Sequence, residues 1–394
     1  MSDQELGTEL KRAAQEAVDE RLGQLVDLSR AIHAHPELCF EETVSSALTA
    51  DALTEAGFDV AWGTAGMDTA FVAEVGSGPL VVAICAEYDA LPDVGHACGH
   101  NIIAASAVGA GVGLVPVADE LGLTVRVIGT PAEEGGGGKI TMVEQGTFDE
   151  VHLAMMVHPW ATERLEAACL AVSHFDVIFT GRTAHASAAP WQGRNAGDAM
   201  VVAQVAIGLL RQQLLPGDQV HGIVTSGGEA ANIIPSRVVG RFMARTTTIN
   251  RLNELMPKVR ACFEAGALAT GCDVAFASVA NDYSHMESDQ GLLDLYRGNA
   301  ESLGRQFTLD DEGAPKPTLS TDMANVSLVV PTIHPLIGIE SGGSVNHQPE
   351  FAAACIEPSA DVAVRDGALA MAWTAIDAAL STSTRQRLLQ RTAG

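Results

Sequence analysis

The 394-residue sequence predicts an α/β fold: a catalytic domain with a mostly parallel sheet and flanking helices, interrupted by a smaller inserted domain. Three observations predict it. Between residues 80 and 158, apolar runs alternate with helical stretches, the pattern of a parallel sheet covered by helices. Between about 170 and 285 the order becomes strand, helix, strand, strand, helix, strand, the split βαβ order of ferredoxin-like domains. The strand–helix alternation then resumes. The expected division is 1–169 with 286–394 for the catalytic domain and 170–285 for the insert.

The first 35 or so residues read as a helix, with Leu22, Leu25, Val26, Leu28 and Ile32 on one stripe and His35-Pro36 ending it. LVVAICAE (80–87) reads as a buried strand. The small residues from Asn101 to Val115 read as a helix, with Asn101 as a candidate N-cap. TVRVIGT (124–130) is a second strand, Lys139 to Gln145 a helix, and HLAMMVH (152–158) a third strand. In the insert, strands are expected at 168–180, 220–226, 237–247 and 272–279, with helices at 195–214 and 250–269. A helix at 288–303, a strand at 331–339 and a helix at 359–380 complete the chain, with LDDEGAPKPT (309–318) as a surface loop. Ligands of parallel sheets bind at the carboxyl ends of the strands. Asp89, Glu133, Glu134 and His158 all fall there.

Lys plus Arg number 23 and Asp plus Glu 49, so the formal charge is −26, which repels nucleic acid and anionic membranes. No uninterrupted apolar run approaches ~20 residues, so no membrane span is expected. The polar N-terminus has no apolar core of a secretory signal, and the seven scattered cysteines suit reduced thiols; a cytoplasmic location is expected.

TPAEEGGGGK (130–139) poses the first chemical question. A phosphate-binding loop would need Gly where Glu133 stands and Ser or Thr where Ile140 stands, so it is excluded. Adjacent residues at a strand end point differently, so Glu133 and Glu134 can divide two roles, one on a metal and one as a proton acceptor. A solvated acidic turn is the alternative. GHACGHN (95–101) places His96, Cys98 and His100 at alternate positions, so Cys98 and His100 could share a metal. A buried thiol beside two surface histidines is equally open. His158 and His347 are each ordinary polar residues when read alone. In the insert, His185, Asn232 and Arg245 stand out, Arg being able to hold a carboxylate bidentately.

Together, EYDALPDVGHACGHN, TPAEEGGGGK, MMVHP, GRTAHAS, ANIIP, STDMANVS and NHQPEF resemble, in the same order, the dinuclear metal amidohydrolases. That family includes aminoacylase, carboxypeptidase G, and the hippurate, auxin-conjugate and aminobenzoyl-glutamate hydrolases. The wording is most similar to the aminobenzoyl-glutamate hydrolase and β-alanyl-lysine dipeptidase branch, over residues 20 to 380 or so. The resemblance implies two divalent ions, zinc or manganese, and an insert that serves as lid and dimer interface, so a homodimer is expected. It implies that Cys98 bridges the metals, where other branches use Asp, and that His100, Glu134, His158 and His347 are the remaining ligands. Glu133 corresponds to the general base, and His185 to the lid histidine that steadies the oxyanion. Asn232 and Arg245 correspond to contacts with a free carboxylate on a small-molecule substrate. Where the hippurate branch reads R-A-D-x-D-A-L-P, this chain has Cys85-Ala86-Glu87-Tyr88-Asp89-Ala90-Leu91-Pro92, so either Glu87 or Asp89 can be the acid that orients a ligand. Asn101 also replaces that branch's Asp. The implied reaction is hydrolysis of an N-acyl amino acid or small dipeptide by a metal-activated water; a catalytically silent binding relative is the alternative.

Overall fold

A computed structural model describes residues 3–307 and 318–390. All of the loop expected at 309–318 except Thr318 lies outside the described residues. The chain forms two compact units, Met1–Ala168 with Met286–Gly394, and Cys169–His285.

The first unit is built on a six-stranded sheet in the order Asp59–Trp62, Phe71–Gly76, Leu123–Gly129, Leu80–Ala86, Leu153–Met155, Thr332–Ile333. The last four strands run parallel. The first two are antiparallel, in register from Phe71↔Gly129 to Gly76↔Thr124. This pair, and the helix Thr43–Glu55, are additions to the elements expected from sequence. Leu80–Ala86 is buried along its whole length, as befits the centre of a sheet covered on both faces.

One face is covered by the helices Asp3–Ala34, His100–Leu114 and Pro358–Leu380. His100–Leu114 is buried at every position, and its Ala, Ser and Gly residues let the two neighbouring helices close on it. By length and composition, His100–Leu121 could cross a membrane, but 89% of its most apolar window is buried, as in a core helix. The expected strand 152–158 breaks after Met155. His158–Trp160 instead pairs with Leu336–Gly338, and the expected strand 331–339 divides the same way. Strands that switch partner in mid-run keep an unbroken apolar pattern, so the break has no sequence signal.

The second unit has four antiparallel strands in the order Asp273–Ser278, Ala171–Thr180, Arg237–Thr246, Gln219–Ser226. The helices Ala196–Leu210 and Ile249–Thr270 complete the ferredoxin-like order, capped at their N-termini by the side chains of Asn195 and Thr248. Phe175, Phe179, Phe242 and Phe263 form its aromatic core, with Phe242 and Phe263 ring centroids 4.8 Å apart.

Candidate active site

The carboxyl ends of Leu80–Ala86 and Leu123–Gly129 bring two acidic segments side by side, since Ala86 and Gly129 are register partners. Glu87 and Asp89 follow the first strand, and the turn from Thr130 to Gly138 follows the second. That turn is drawn tight. Gly138 has no room for a side chain, since a Cβ would lie 2.1 Å from the Pro131 carbonyl oxygen. Ala132 is left-handed, with φ 61°, a strained conformation for a residue with a Cβ.

Three carboxylates from other parts of the chain hold the turn. Glu42 Oε1 accepts from the Ala132 N–H at 2.8 Å and from the Phe40 N–H at 2.9 Å, and its Oε2 accepts from the Thr69 hydroxyl. Asp89 Oδ2 accepts from the Glu134 N–H at 2.9 Å. Asp322 accepts twice from Lys139, at Oδ2 from the backbone N–H (2.9 Å) and at Oδ1 from the ammonium (2.7 Å). Burial, with the charge of Asp89 next, pushes Glu42 up to about 7.

His100 opens its helix behind Gly99, whose φ of 75° suits glycine. A Cβ there would also lie 2.5 Å from Pro159 Cγ. Asp89 Oδ1 stands 3.0 Å from His100 Nδ1. This pairing leaves Nε2 as the lone-pair atom, the arrangement in which a carboxylate orients a metal-binding imidazole. Desolvation alone would lower the His100 pKa, but Asp89 outweighs it and holds it well above the usual histidine value. Glu87 takes a different partner, Lys139 Nζ at 2.5 Å. The two acids that the sequence left interchangeable are thus distinguished by their contacts.

Around His100 Nε2 stand Glu87 Oε2 at 3.6 Å, Glu134 Oε1 at 3.8 Å and Glu133 Oε2 at 4.0 Å. His347 Nε2 lies 3.7 Å from Glu134 Oε2. Cys98, His100 and His158 offer donor atoms within 4.8 Å of one another, and so do Cys98, Glu134 and His347; Cys98 belongs to both sets. His158 Nδ1 lies 2.8 Å from the Pro159 carbonyl, which leaves its Nε2 for a ligand. His96 belongs to none of these sets and packs against the His33 ring.

These residues fit a pair of divalent ions. His100 Nε2, Glu134 Oε1 and Glu87 Oε2 are buried without a hydrogen-bond partner, an expensive arrangement unless a cation satisfies them. The thiol leans to zinc, and the three imidazoles and the carboxylate suit zinc or manganese. Burial, and then Glu134, push the Cys98 thiol well above its usual value, a cost that a bound cation removes by taking the thiolate. Glu133 is raised well above the usual carboxylate range by burial first, then by Glu87, Glu134 and Asp322.

The sequence assigned no role to Glu42, Lys139, Asp322 or His334, although Lys139 and Asp322 lie within TPAEEGGGGK and STDMANVS. His334 is buried, edge-on to His158 with ring centroids 5.5 Å apart, and burial lowers its pKa well below the usual value. A lysine directly after a glycine turn and before an apolar helix was the one available signal for Lys139. The partners of the others lie far away along the chain.

His185, Asn232 and Arg245 belong to the second unit. His185 and Asn232 are exposed neighbours: His185 pairs with Ile233, and the Ala186 N–H donates to the Asn232 carbonyl at 3.0 Å. His185 Nδ1 faces the backbone N–H groups of Ser187 and Ala188. Arg245 is half-buried in the strand Arg237–Thr246.

Comparison with known proteins gives the chain a family. Residues 83–365 match the model of peptidase family M20/M25/M40. The chain is 38% identical to a Xaa-Arg dipeptidase of Mus musculus over 382 residues, covering 93% of this chain and 88% of that one. It is 31% identical to a subunit of the p-aminobenzoyl-glutamate hydrolase of Escherichia coli over 283 residues, covering 66% and 59%. The fold matches that of a dinuclear metal-binding peptidase of the M20 family from Bacillus subtilis, with a TM-score of 0.69 at 22% identity over 91% of this chain and 98% of that one. With these matches, and with the acids, thiol and imidazoles gathered at the strand ends, the chain belongs to peptidase family M20/M25/M40 and is a hydrolase of peptide and amide bonds.

Proposed function

We propose that the chain is a two-metal dipeptidase that also accepts related N-acyl amino acids, releasing an amino acid with a free carboxylate. The observation that carries this reading is the pair of donor sets sharing Cys98, with Glu133 beside them. Cys98, His100 and His158 would hold one ion, and Cys98, Glu134 and His347 the other. The ions would lower the pKa of the attacking water and polarise the amide carbonyl.

The remaining steps belong to the protein. Asp89 keeps the proton of His100 on Nδ1. Glu133 takes the proton of the attacking water on its carboxylate and returns it to the leaving amine nitrogen. On the resemblance alone, we assign His185 to the oxyanion and Asn232 and Arg245 to the substrate carboxylate.

The mouse relative is a dipeptidase of Xaa-Arg substrates. A net charge of −26 favours the approach of such cationic dipeptides to this chain as well. A homodimer through the second unit is supported by Val201, Val205 and Leu209, 58%, 59% and 70% exposed at one helical spacing. Reduced, cytoplasmic surroundings suit a centre that depends on the Cys98 thiolate.

The test is hydrolysis of Xaa-Arg, Xaa-Lys and β-alanyl dipeptides, aminobenzoyl-glutamate and N-acetyl amino acids, scored by released amine. Chelation should abolish cleavage and added zinc or manganese should restore it. Glu133→Gln should lower kcat by about 10²–10⁴-fold while metal content stays unchanged. Full activity in that variant would overturn the assigned base.

A further inference from the structure

We infer that the ammonium of Lys139 is a built-in cation that fills a third acidic cluster of the centre and thereby limits it to two metal ions. The inference rests on the two-metal reading above.

Glu87, Glu133 and Asp322 are all buried, and one carboxylate oxygen from each lies within 4.8 Å of the other two. Three carboxylates this close in an interior of low dielectric need a counter-charge. An all-oxygen set of this kind is ligand chemistry for manganese, magnesium or calcium. Lys139 supplies the counter-charge from within the chain. Its side chain is fully buried, and Nζ donates to Glu87 Oε1 at 2.5 Å and to Asp322 Oδ1 at 2.7 Å. The backbone N–H of the same residue donates to Asp322 Oδ2 at 2.9 Å. Two donors of one residue therefore grip one carboxylate, which fixes where the ammonium can sit.

The second observation concerns the oxygen that Lys139 leaves over. Glu87 Oε2 is buried, has no hydrogen-bond partner, and points toward His100 Nε2 at 3.6 Å. With Oε1 tied to the ammonium, Glu87 can present only this one oxygen to the centre. Without the ammonium, both oxygens of Glu87 and Oδ1 of Asp322 become available beside Glu133, and a divalent ion can take the place of the lysine. The ammonium thus does what a third metal would do for charge, without a metal's exchangeable coordination positions. It also ties the Glu133-bearing turn to Asp322 by a link that does not leave when metal is removed.

The experiment compares the manganese content of the wild type with Lys139→Ala and with Lys139→Ala/Asp322→Asn after dialysis against manganese, read by elemental analysis. Wild-type content tests the two-metal reading by itself. The difference between variant and wild type tests the inference. Lys139→Ala should gain one manganese per chain, and the double variant should lose that gain. Equal manganese content in the wild type and Lys139→Ala would overturn the inference, as would a gain that survives Asp322→Asn. If Lys139→Ala does not fold in metal-free buffer, millimolar manganese should restore a cooperative melting transition, because the ion replaces the ammonium. A variant that stays unfolded with manganese present would equally overturn it.

Discussion

Replacing Asp89 with asparagine removes one acceptor from a carboxylate that meets two nitrogens and, at 3.6 Å, the Cys39 thiol. Asp89 Oδ1 meets His100 Nδ1 at 3.0 Å, and Oδ2 meets the Glu134 N–H at 2.9 Å. Asparagine has one oxygen and one NH₂ group for the same two positions. If the oxygen faces His100, the NH₂ faces the Glu134 N–H, and a nearly buried donor loses its partner at a cost of about 1–3 kcal/mol. If the oxygen faces Glu134, the NH₂ donates to Nδ1 and the imidazole proton moves to Nε2, the atom that a metal needs. Either way, a ligand or its carrier is misplaced. Removing the group that orients a metal-binding imidazole typically weakens metal binding by about 10–100-fold, equivalent to about 1.4–2.7 kcal/mol. Competition of the metal-free protein with a coloured chelator, titrated with zinc, measures this directly. Affinity within about twofold of the wild type would refute the role given to Asp89.

Two further substitutions probe the scaffold. Glu42 titrates near 7 in the folded chain against an ordinary value of 4.5, so the unfolded chain releases its proton first, and this residue lowers stability as pH rises between those values, by up to about 3 kcal/mol. Glu42→Gln should therefore match the wild type in urea midpoint near pH 5 and exceed it near pH 7; an unchanged difference between the two pH values would contradict this. Gly99→Ala places a Cβ 2.5 Å from Pro159 Cγ at a left-handed position. It should lower the melting temperature and weaken metal binding together, because Cys98 and His100 flank it; a variant with normal values for both would show that the turn can yield.

The sequence showed the sheet and the motifs at its strand ends because both rest on local pattern. LVVAICAE reads as a central strand wherever it occurs, and Cys98 and His100 announce themselves by side-chain chemistry. What remained hidden depends on distance along the chain. Lys139 meets Asp322 across 183 residues, and Glu42 meets Ala132 across 90. No window of sequence contains either pair. The choice between Glu87 and Asp89 was likewise open, since both are acids after one strand and only their partners separate them. The break in the run 152–158 stayed hidden because His158 turns to pair with Leu336, a neighbour that the periodicity of its own segment does not reveal.

The two donor sets that share Cys98 differ in their access to water. His100 and His158 are buried, whereas His347 is 61% exposed on a glycine-rich loop. An ion held by Cys98, Glu134 and His347 can be approached by a chelator or an incoming cation at its histidine side. One held by Cys98, His100 and His158 can leave only after its buried surroundings open. The centre should therefore empty in two kinetic phases, and the partly stripped enzyme would be a one-metal species with its inner ion intact. Reloading such a species with a different cation would give a mixed-metal enzyme, with the identity of each ion set by the order of addition.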